Sequence, residues 1–366
     1  MLRTYQYRIY PTTEQIQSIE RNLNLCRRFY NAMLAHRRYV YKAGGKTTLF
    51  DQINELPAIK EEFPEYKLIY SQVLQDVGRR LQKTFDSFFR RLRSGEIPGY
   101  PRFKGCNQYH TFTYPQAGFR LNSKAKRVFL SSIGSVAVRL HRVIPAAAKI
   151  KNCIVTRDNG RYYVSFSVEM PNTVMPPTGG VVGVDVGITD FAVTSDGDFF
   201  PRLAAFRRKE KKLKRLQRAV SRKKKGSNRR REAIRRLANA SRKVANQRKD
   251  LSHKVVKVLI ERYDLIVHED LRIPNMMQNH HLAKSIQDAG WSLFFSILAN
   301  KAESAGKRVV KANPYKTSQR CSKCGVDVPK KLTERWHNCP QCGLSLHRDV
   351  NAAINILRRG VEMLAS

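Results

Sequence analysis

Residues 181–193 read VVGVDVGITDFAV, an apolar, strand-like run with one carboxylate, Asp185, near its centre. In an extended chain Gly183, Asp185 and Gly187 share one face, and Val182, Val184 and Val186 share the other. An unpaired carboxylate in such a strand costs on the order of several kcal/mol, so it needs an arginine, backbone donors or a metal. The glycines keep its face bare and leave room for something large to approach.

Two further acids stand in comparable places. In LIVHED, 265–270, Leu265, Val267 and Glu269 share a face, so Glu269 emerges at a strand end while Asp270 points the other way. In HRDVNAAINIL, 347–357, Asp349 stands where a helix begins. Alone, Asp349 reads as an N-cap worth about 1 kcal/mol. Together the three acids make a three-carboxylate metal site. Carboxylates are hard donors suited to Mg²⁺, or Mn²⁺ in its place. Two such ions about 4 Å apart activate water and stabilise the leaving oxygen in phosphodiester cleavage.

Charge supports a polyanionic partner. The 366 residues carry 69 Lys and Arg against 29 Asp and Glu, a net charge of +40, and the length calls for two or three domains. Residues 207–249 alone hold 21 Lys or Arg and two acids, Glu210 and Glu232. A thin apolar stripe on each side of KKKGSN predicts a helical hairpin broken near Gly226. One basic helix is ordinarily a solvated face, but this density of one sign repels itself without phosphates to track. An anionic membrane is the weaker partner: no run of 18 apolar residues exists, and MLRTYQYRIYP lacks the apolar core of a signal peptide. A cytoplasmic protein is expected.

Among seven cysteines, CSKCG at 321–325 and CPQCG at 339–343 form two CxxCG knuckles. Four thiolates at this spacing predict a closed, structural zinc ribbon held by Cys321, Cys324, Cys339 and Cys342. Cys26, Cys106 and Cys153 are scattered and read as small core residues.

Along the chain, residues 2–10 alternate as a strand ending at Pro11, and Thr13 is placed to cap a helix reaching about Tyr41. A second helix is predicted from about Ser71 to Leu92. Short β-like runs from Tyr109 to Glu169 predict a small barrel or sandwich, and PNTVMPPTGG, 171–180, reads as a linker. KSIQDAGWSLFFSILANKAESAG, 284–306, reads as one amphipathic helix and KRVVKANP as a strand, so strands and helices alternate after residue 180 as in an α/β domain.

In this order, GVDVGITDFAV, LIVHEDL, SIQDAGW, the TSQRCSKCG to CPQCG ribbon and HRDVNAAINIL resemble the transposon-encoded TnpB proteins. These are relatives of type V CRISPR effectors and of Fanzor proteins. YSQVLQDVGRRLQKTFDSFFRR and GYPRFK extend the resemblance into the N-terminal half. It implies a multidomain α+β architecture: a β-barrel (wedge) domain over 1–11 and 106–170, interrupted by a helical recognition domain over 12–105, then the 171–180 linker. A RuvC, ribonuclease H-like α/β nuclease domain would follow over 181–316 and 347–366, with the zinc ribbon, 317–346, inserted.

By that resemblance Asp185, Glu269 and Asp349 are the catalytic acids, holding two Mg²⁺ ions. The partners are a guide RNA transcribed from the transposon end and double-stranded target DNA, bound by a monomer and cut beside a short transposon-adjacent motif. Ser71, Gln75, Thr113 and Tyr114 fall where the family reads that motif, and Gln has a bidentate adenine contact available to it. Arg102 and Lys104 would contact phosphates. Asp288 matches a family position, and its residue type alone points to capping or a polar contact. A guide-dependent repressor that binds without cutting is the alternative function, and a strand-joining transposase is disfavoured because no DNA-end synapse is evident.

Overall fold

Tyr5, Tyr7 and Ile9 point inward, which makes a strand, β1 (Leu2–Tyr10), of the alternating N-terminal segment. Thr12, not Thr13, caps the helix that follows. Its hydroxyl accepts the Gln15 N–H (3.4 Å) while the Gln15 carboxamide accepts the Thr12 N–H (3.1 Å), a capping box at the start of α1 (Thr13–Lys42). This computed structural model describes residues 1–106, 108–171, 174–331 and 334–365 in two compact units, Met1–Pro171 and Asn172–Ser366. Residue 107 of the expected barrel, 172–173 of the expected linker, 332–333 of the expected ribbon and 366 lie outside the described residues.

In the first unit α1 is followed by α2 (Leu49–Asn54), α3 (Leu56–Glu62), a 3₁₀ turn at Pro64–Leu68 and α4 (Ser71–Arg93). Six strands complete it: β2 (Thr111–Tyr114), β3 (Phe119–Asn122), β4 (Arg127–Leu130), β5 (Gly134–Arg139), β6 (Lys149–Asp158) and β7 (Arg161–Glu169). With β1 they form an antiparallel sheet in the order β2-β6-β7-β1-β5-β4-β3. Laid flat, four ladders at about 4.8 Å would put β3 roughly 19 Å from β7. Phe119 of β3 nevertheless meets Phe166 of β7 at 6.1 Å, so the sheet is rolled. Its end strands, β2 and β3, do not pair with each other among the described residues. The helices between β1 and β2 share one hydrophobic core with the sheet, with Phe29, Leu34, Leu74 and Leu81 beside Tyr7, Phe112 and Phe166. Cys26 and Cys153 are in that core; Cys106, expected there too, is exposed.

The second unit is built on β8 (Val181–Asp185), β9 (Asp190–Thr194), β10 (Phe199–Pro201), β11 (Leu265–Glu269) and β12 (Arg308–Ala312), in the order β10-β9-β8-β11-β12. The strands β8, β11 and β12 are parallel; β9 runs antiparallel beside β8, and β10 antiparallel beside β9. Helices α5 (Ala205–Ser221) and α6 (Asn228–Arg262) form the basic hairpin, turning at Gly226 (φ +86°). The helix expected over 284–306 is two, α8 (His280–Ala289) and α9 (Trp291–Ala305), preceded by the single turn α7 (Ile273–Met276). Gly290 adopts φ +72° between them, a conformation that no helical periodicity signals. Among the described residues, no helix is long and apolar enough to cross a membrane.

Valines 182 and 184 and Ile266 face α6 and α9 across one core. The opposite face meets α10 (Arg348–Ala365), reached through the short ribbon strands β13 (Trp336–Asn338) and β14 (Ser345–His347). What the bare glycine face admits is this helix. A Cβ at Gly183 would lie 2.0 Å from the Ala353 carbonyl oxygen, and one at Gly360 would lie 2.4 Å from the Val267 side chain. One glycine in the strand and one in the helix thus let the two backbones approach closely.

The described part of the expected linker is fastened down. The Thr178 and Gly179 N–H groups donate to Asp264 (2.7 and 2.6 Å), and the buried Lys307 ammonium donates to Asp264 (2.5 Å) and to the Pro176 carbonyl (2.9 Å). Those bonds hold Asp264 at a pKa of about 2.

Asp288 acquires a role the sequence leaves open. Its buried carboxylate accepts both the Nε (3.1 Å) and Nη2 (2.9 Å) of Arg248 and faces Arg202 (3.5 Å) and the Arg207 N–H (3.4 Å). It therefore ties α8 to the basic hairpin. Removing one partner of a buried ion pair strands the other charges, so Asp288→Ala is expected to cost about 3–5 kcal/mol in denaturant unfolding. A loss within about 0.5 kcal/mol, the range of ordinary surface substitutions, would exclude the clasp.

Candidate active site

The parallel register pairs Val184 with His268, so the next step sets Asp185 beside Glu269 at the carboxyl ends of adjacent strands. Both continue the face that carries Gly183 and Val267, the face covered by α10. Crevices outside the carboxyl ends of parallel strands are where α/β sheets bind ligands. Helix α10 begins over this edge and places Asp349 in its first turn, not on the cap. The Asp349 N–H instead donates to His347 Nδ1 (3.3 Å), whose ring nitrogen lies 3.9 Å from an Asp349 carboxylate oxygen.

The three acids are close enough to repel. Burial first, then the charges of Glu269 and Asp349, raise the Asp185 pKa well above the carboxylate range, opposed by Arg348. Burial also raises Glu269, opposed by a hydrogen bond from the Thr317 hydroxyl and by Arg359. Crowded carboxylates of this kind are relieved by a cation, and their oxygen donors suit a hard divalent ion. His268, next to Glu269, points to the other face and stacks on Phe295 at 4.1 Å.

The ribbon supplies Thr317. Each knuckle closes alike: Gly325 N–H to Cys321 O and Gly343 N–H to Cys339 O, both 3.0 Å, with φ of +79° and +70° that glycine accommodates without strain. Among the described residues, only Cys321, Cys324, Cys339 and Cys342 bring three or more Cys, His, Asp or Glu ligand atoms within 4.8 Å of one another. Sulfur separations of 3.5 and 3.6 Å lie close to the roughly 3.8 Å that tetrahedral Zn–S bonds of about 2.3 Å require. Although burial opposes it, the N–H groups of Cys342 and Gln341 favour the Cys339 thiolate and bring its pKa down to about 6. The cluster fits zinc.

Buried Asn351 and Asn355, one turn apart on α10, bind this ribbon to that helix. Asn351 accepts from the Ser322 N–H (2.9 Å) and donates to Arg320 O (2.8 Å); Asn355 donates to Thr317 O (2.9 Å) and Arg320 O (2.7 Å). Sequence reasoning missed Thr317 and both asparagines. The signal available was a pair of amides four residues apart within an apolar helical stripe, in NAAIN.

The first unit sorts the remaining candidates. Tyr114 is fully buried and its hydroxyl donates to Ser131 O (2.6 Å); Thr113 is buried and accepts from Arg80 (2.5 Å). Neither presents a free polar edge for reading a base: β2 turns Thr113 toward Arg80 of α4 and Tyr114, on its other face with Phe112, into the core. Ser71 is exposed and accepts from Lys60 (2.6 Å). Gln75 is half-buried on α4 and makes no hydrogen bond among the described residues. Arg102 is exposed. Lys104 is pinned to α1 through its backbone by Asn31 (2.8 and 3.0 Å), with its ammonium 5.7 Å from the Tyr30 ring centre.

Comparison with known proteins agrees with the sequence motifs. Residues 165–280 match the IS605 OrfB family, described as "Probable transposase", and residues 291–356 match "Cas12f1-like, TNB domain". Residues 1–46 match a "Helix-turn-helix domain", although here they hold a strand and one unbroken helix. "Putative RNA-guided DNA endonuclease InsQ" of Escherichia coli (strain K12) is 31% identical over 100% of this chain and 94% of its own length. A "Putative RNA-guided DNA endonuclease" of Streptomyces pristinaespiralis is 32% identical over 99% of this chain and 90% of its own length. The cryo-EM structure of a Cas12f1–sgRNA–target DNA complex matches with a TM-score of 0.61 at 12% identity, covering 97% of this chain and 98% of that one, which shows a shared multidomain fold. The chain belongs to the IS605 OrfB family, whose members include TnpB.

Proposed function

We propose that this protein is an RNA-guided DNA endonuclease that cuts double-stranded DNA beside a short flanking motif, with Asp185, Glu269 and Asp349 as its metal-holding acids. The observation that carries the reading is the approach of Glu269 and Asp349 to Asp185 at one strand edge beneath α10, close enough for both charges to raise its pKa. Bound there, two Mg²⁺ ions would supply water activation and leaving-oxygen stabilisation for phosphodiester hydrolysis. The chain's own part is to fix the acids: the parallel register aligns Asp185 with Glu269, α10 delivers Asp349, and Thr317 orients Glu269.

The second unit, with residues 181–316 and 347–366, is read as the RuvC-type nuclease and 317–346 as its zinc ribbon. The rolled sheet with its inserted helices is read as the wedge and recognition domains. Gln75 and Ser71 are the remaining candidates for reading the flanking motif, and Arg102, Lys104 and the α5–α6 hairpin for holding phosphates of guide and target. Guide pairing would supply the rest of the sequence choice. Such work is done on cytoplasmic DNA.

The test is to purify the protein with the RNA it retains, sequence that RNA, and offer a matching DNA target with and without Mg²⁺. Mg²⁺-dependent cleavage directed by the RNA supports the reading. Tight RNA-directed binding with no cleavage would establish the repressor instead, and heterogeneous cellular RNA would overturn guidance.

A further inference from the structure

Beside the acids lie two aromatic side chains that the proposed reaction does not use. In the β13–β14 register Trp336 pairs with His347, their rings 6.2 Å apart and inclined at 72°. Phe199 of β10 meets the same imidazole at 4.9 Å and 84°. That imidazole is the one 3.9 Å from the Asp349 carboxylate. Both outer residues face solvent, with Trp336 60% and Phe199 44% exposed, whereas the other tryptophan, Trp291, is 3% exposed.

The aromatic hairpin is held in place. Arg335 donates to the Thr189 hydroxyl (2.6 Å) in the loop after Asp185, and the Arg348 N–H donates to Arg335 O (2.8 Å). The Arg348 guanidinium reaches Lys331 O (3.2 Å) and Glu334 O (3.5 Å). Exposed aromatics fixed beside a candidate active site mark a ligand surface, and fixing them beforehand lowers the cost of binding. Exposed Lys331 and Arg335 add positive charge, which complements a phosphate chain and not another basic copy of this protein.

Resting on the nuclease reading above, we propose that Trp336 and Phe199 form a stacking platform for an unpaired nucleobase of the strand being cut. Every base offers a π-face, so such a platform tolerates any sequence, as a nuclease guided by pairing requires. A base stacked there would set its neighbouring phosphate toward Asp349. Paired bases are already stacked within the duplex and would not be captured, so the platform selects displaced single strands.

The experiment titrates the full-length protein, without added Mg²⁺, with a short single-stranded oligothymidylate while reading tryptophan emission. Quenching is expected, and it should vanish in Trp336→Phe, which retains only buried Trp291. An abasic strand with the same phosphates and a matched blunt duplex should not quench. Oligouridylate quenching as strong as oligothymidylate would mark a platform blind to the sugar, and weaker quenching would mark one for DNA; both support stacking. No quenching, or equal quenching by the abasic strand, overturns the proposal and leaves a phosphate site or a protein-docking surface. In cleavage, Trp336→Ala and Phe199→Ala should each raise KM about tenfold with kcat little changed, and Trp336→Phe should restore it. Zinc content and melting temperature should match the parent. The emission titration needs no cleavage, so it stands or falls separately from the acids' role.

Discussion

Asp185→Asn is expected to keep the fold and RNA binding, to cut DNA about 10²- to 10³-fold more slowly or worse, and to melt at a higher temperature than the parent when no Mg²⁺ is added. The activity loss follows from removing one of the three acids proposed to hold the metals. The stability gain follows from the crowding. Burial and the charges of Glu269 and Asp349 raise the Asp185 pKa above its unfolded value, near 3.9, so the ionised side chain opposes folding. That opposition is absent below the unfolded pKa, grows as pH rises, and is complete above the folded pKa. The melting advantage of the variant should therefore be present at neutral pH and shrink as the pH is lowered toward 4. Adding Mg²⁺ should raise the melting temperature of the parent more than that of the variant. Undiminished cleavage by the variant would remove Asp185 from the site, and a lower melting temperature without Mg²⁺ would contradict the crowding argument.

Cys339→Ser should release zinc, lower the melting temperature and abolish cleavage while leaving all three acids in the chain. In zinc-finger peptides, metal binding supplies on the order of 10 kcal/mol of folding free energy, and here the ribbon has little apolar core to replace it. The effect reaches the acids because Asn351 and Asn355 hold the carbonyls of Thr317 and Arg320, and the Thr317 hydroxyl donates to Glu269. Thr317→Val separates the two consequences. It should keep zinc and the melting temperature but slow cleavage by about 10- to 100-fold, the worth of one hydrogen bond to a charged group. Cleavage that survives zinc loss would show that the ribbon does not support the site.

Local pattern was enough to place Glu269 at a strand end, to find the ribbon and to see the basic hairpin, because period, turn residues and ligand spacing are properties of short segments; Asp185, read at the centre of a strand, instead ends β8. The rolled sheet was less legible, since curling depends on ladders between strands far apart in the chain, as when Phe119 reaches Phe166. Thr113 and Tyr114 looked available because a four-residue strand does not announce that α4 will meet one of its faces and the core the other. The glycines flanking Asp185 were read as room for an approaching group, but only the structure identifies that group as α10. Asn351 and Asn355 were overlooked because a buried amide and a solvated one are the same letter.

The close seat of α10 on Gly183 also sets an order of events during synthesis. A nascent chain that has emerged only as far as the ribbon already contains Asp185 and Glu269, yet Asp349 and the helix that shields the strand edge are still missing. On the proposed reading, so basic a chain would meet RNA while it is still on the ribosome, before it has a complete set of acids. The proposed capacity to cut DNA would arrive late, with the docking of one helix.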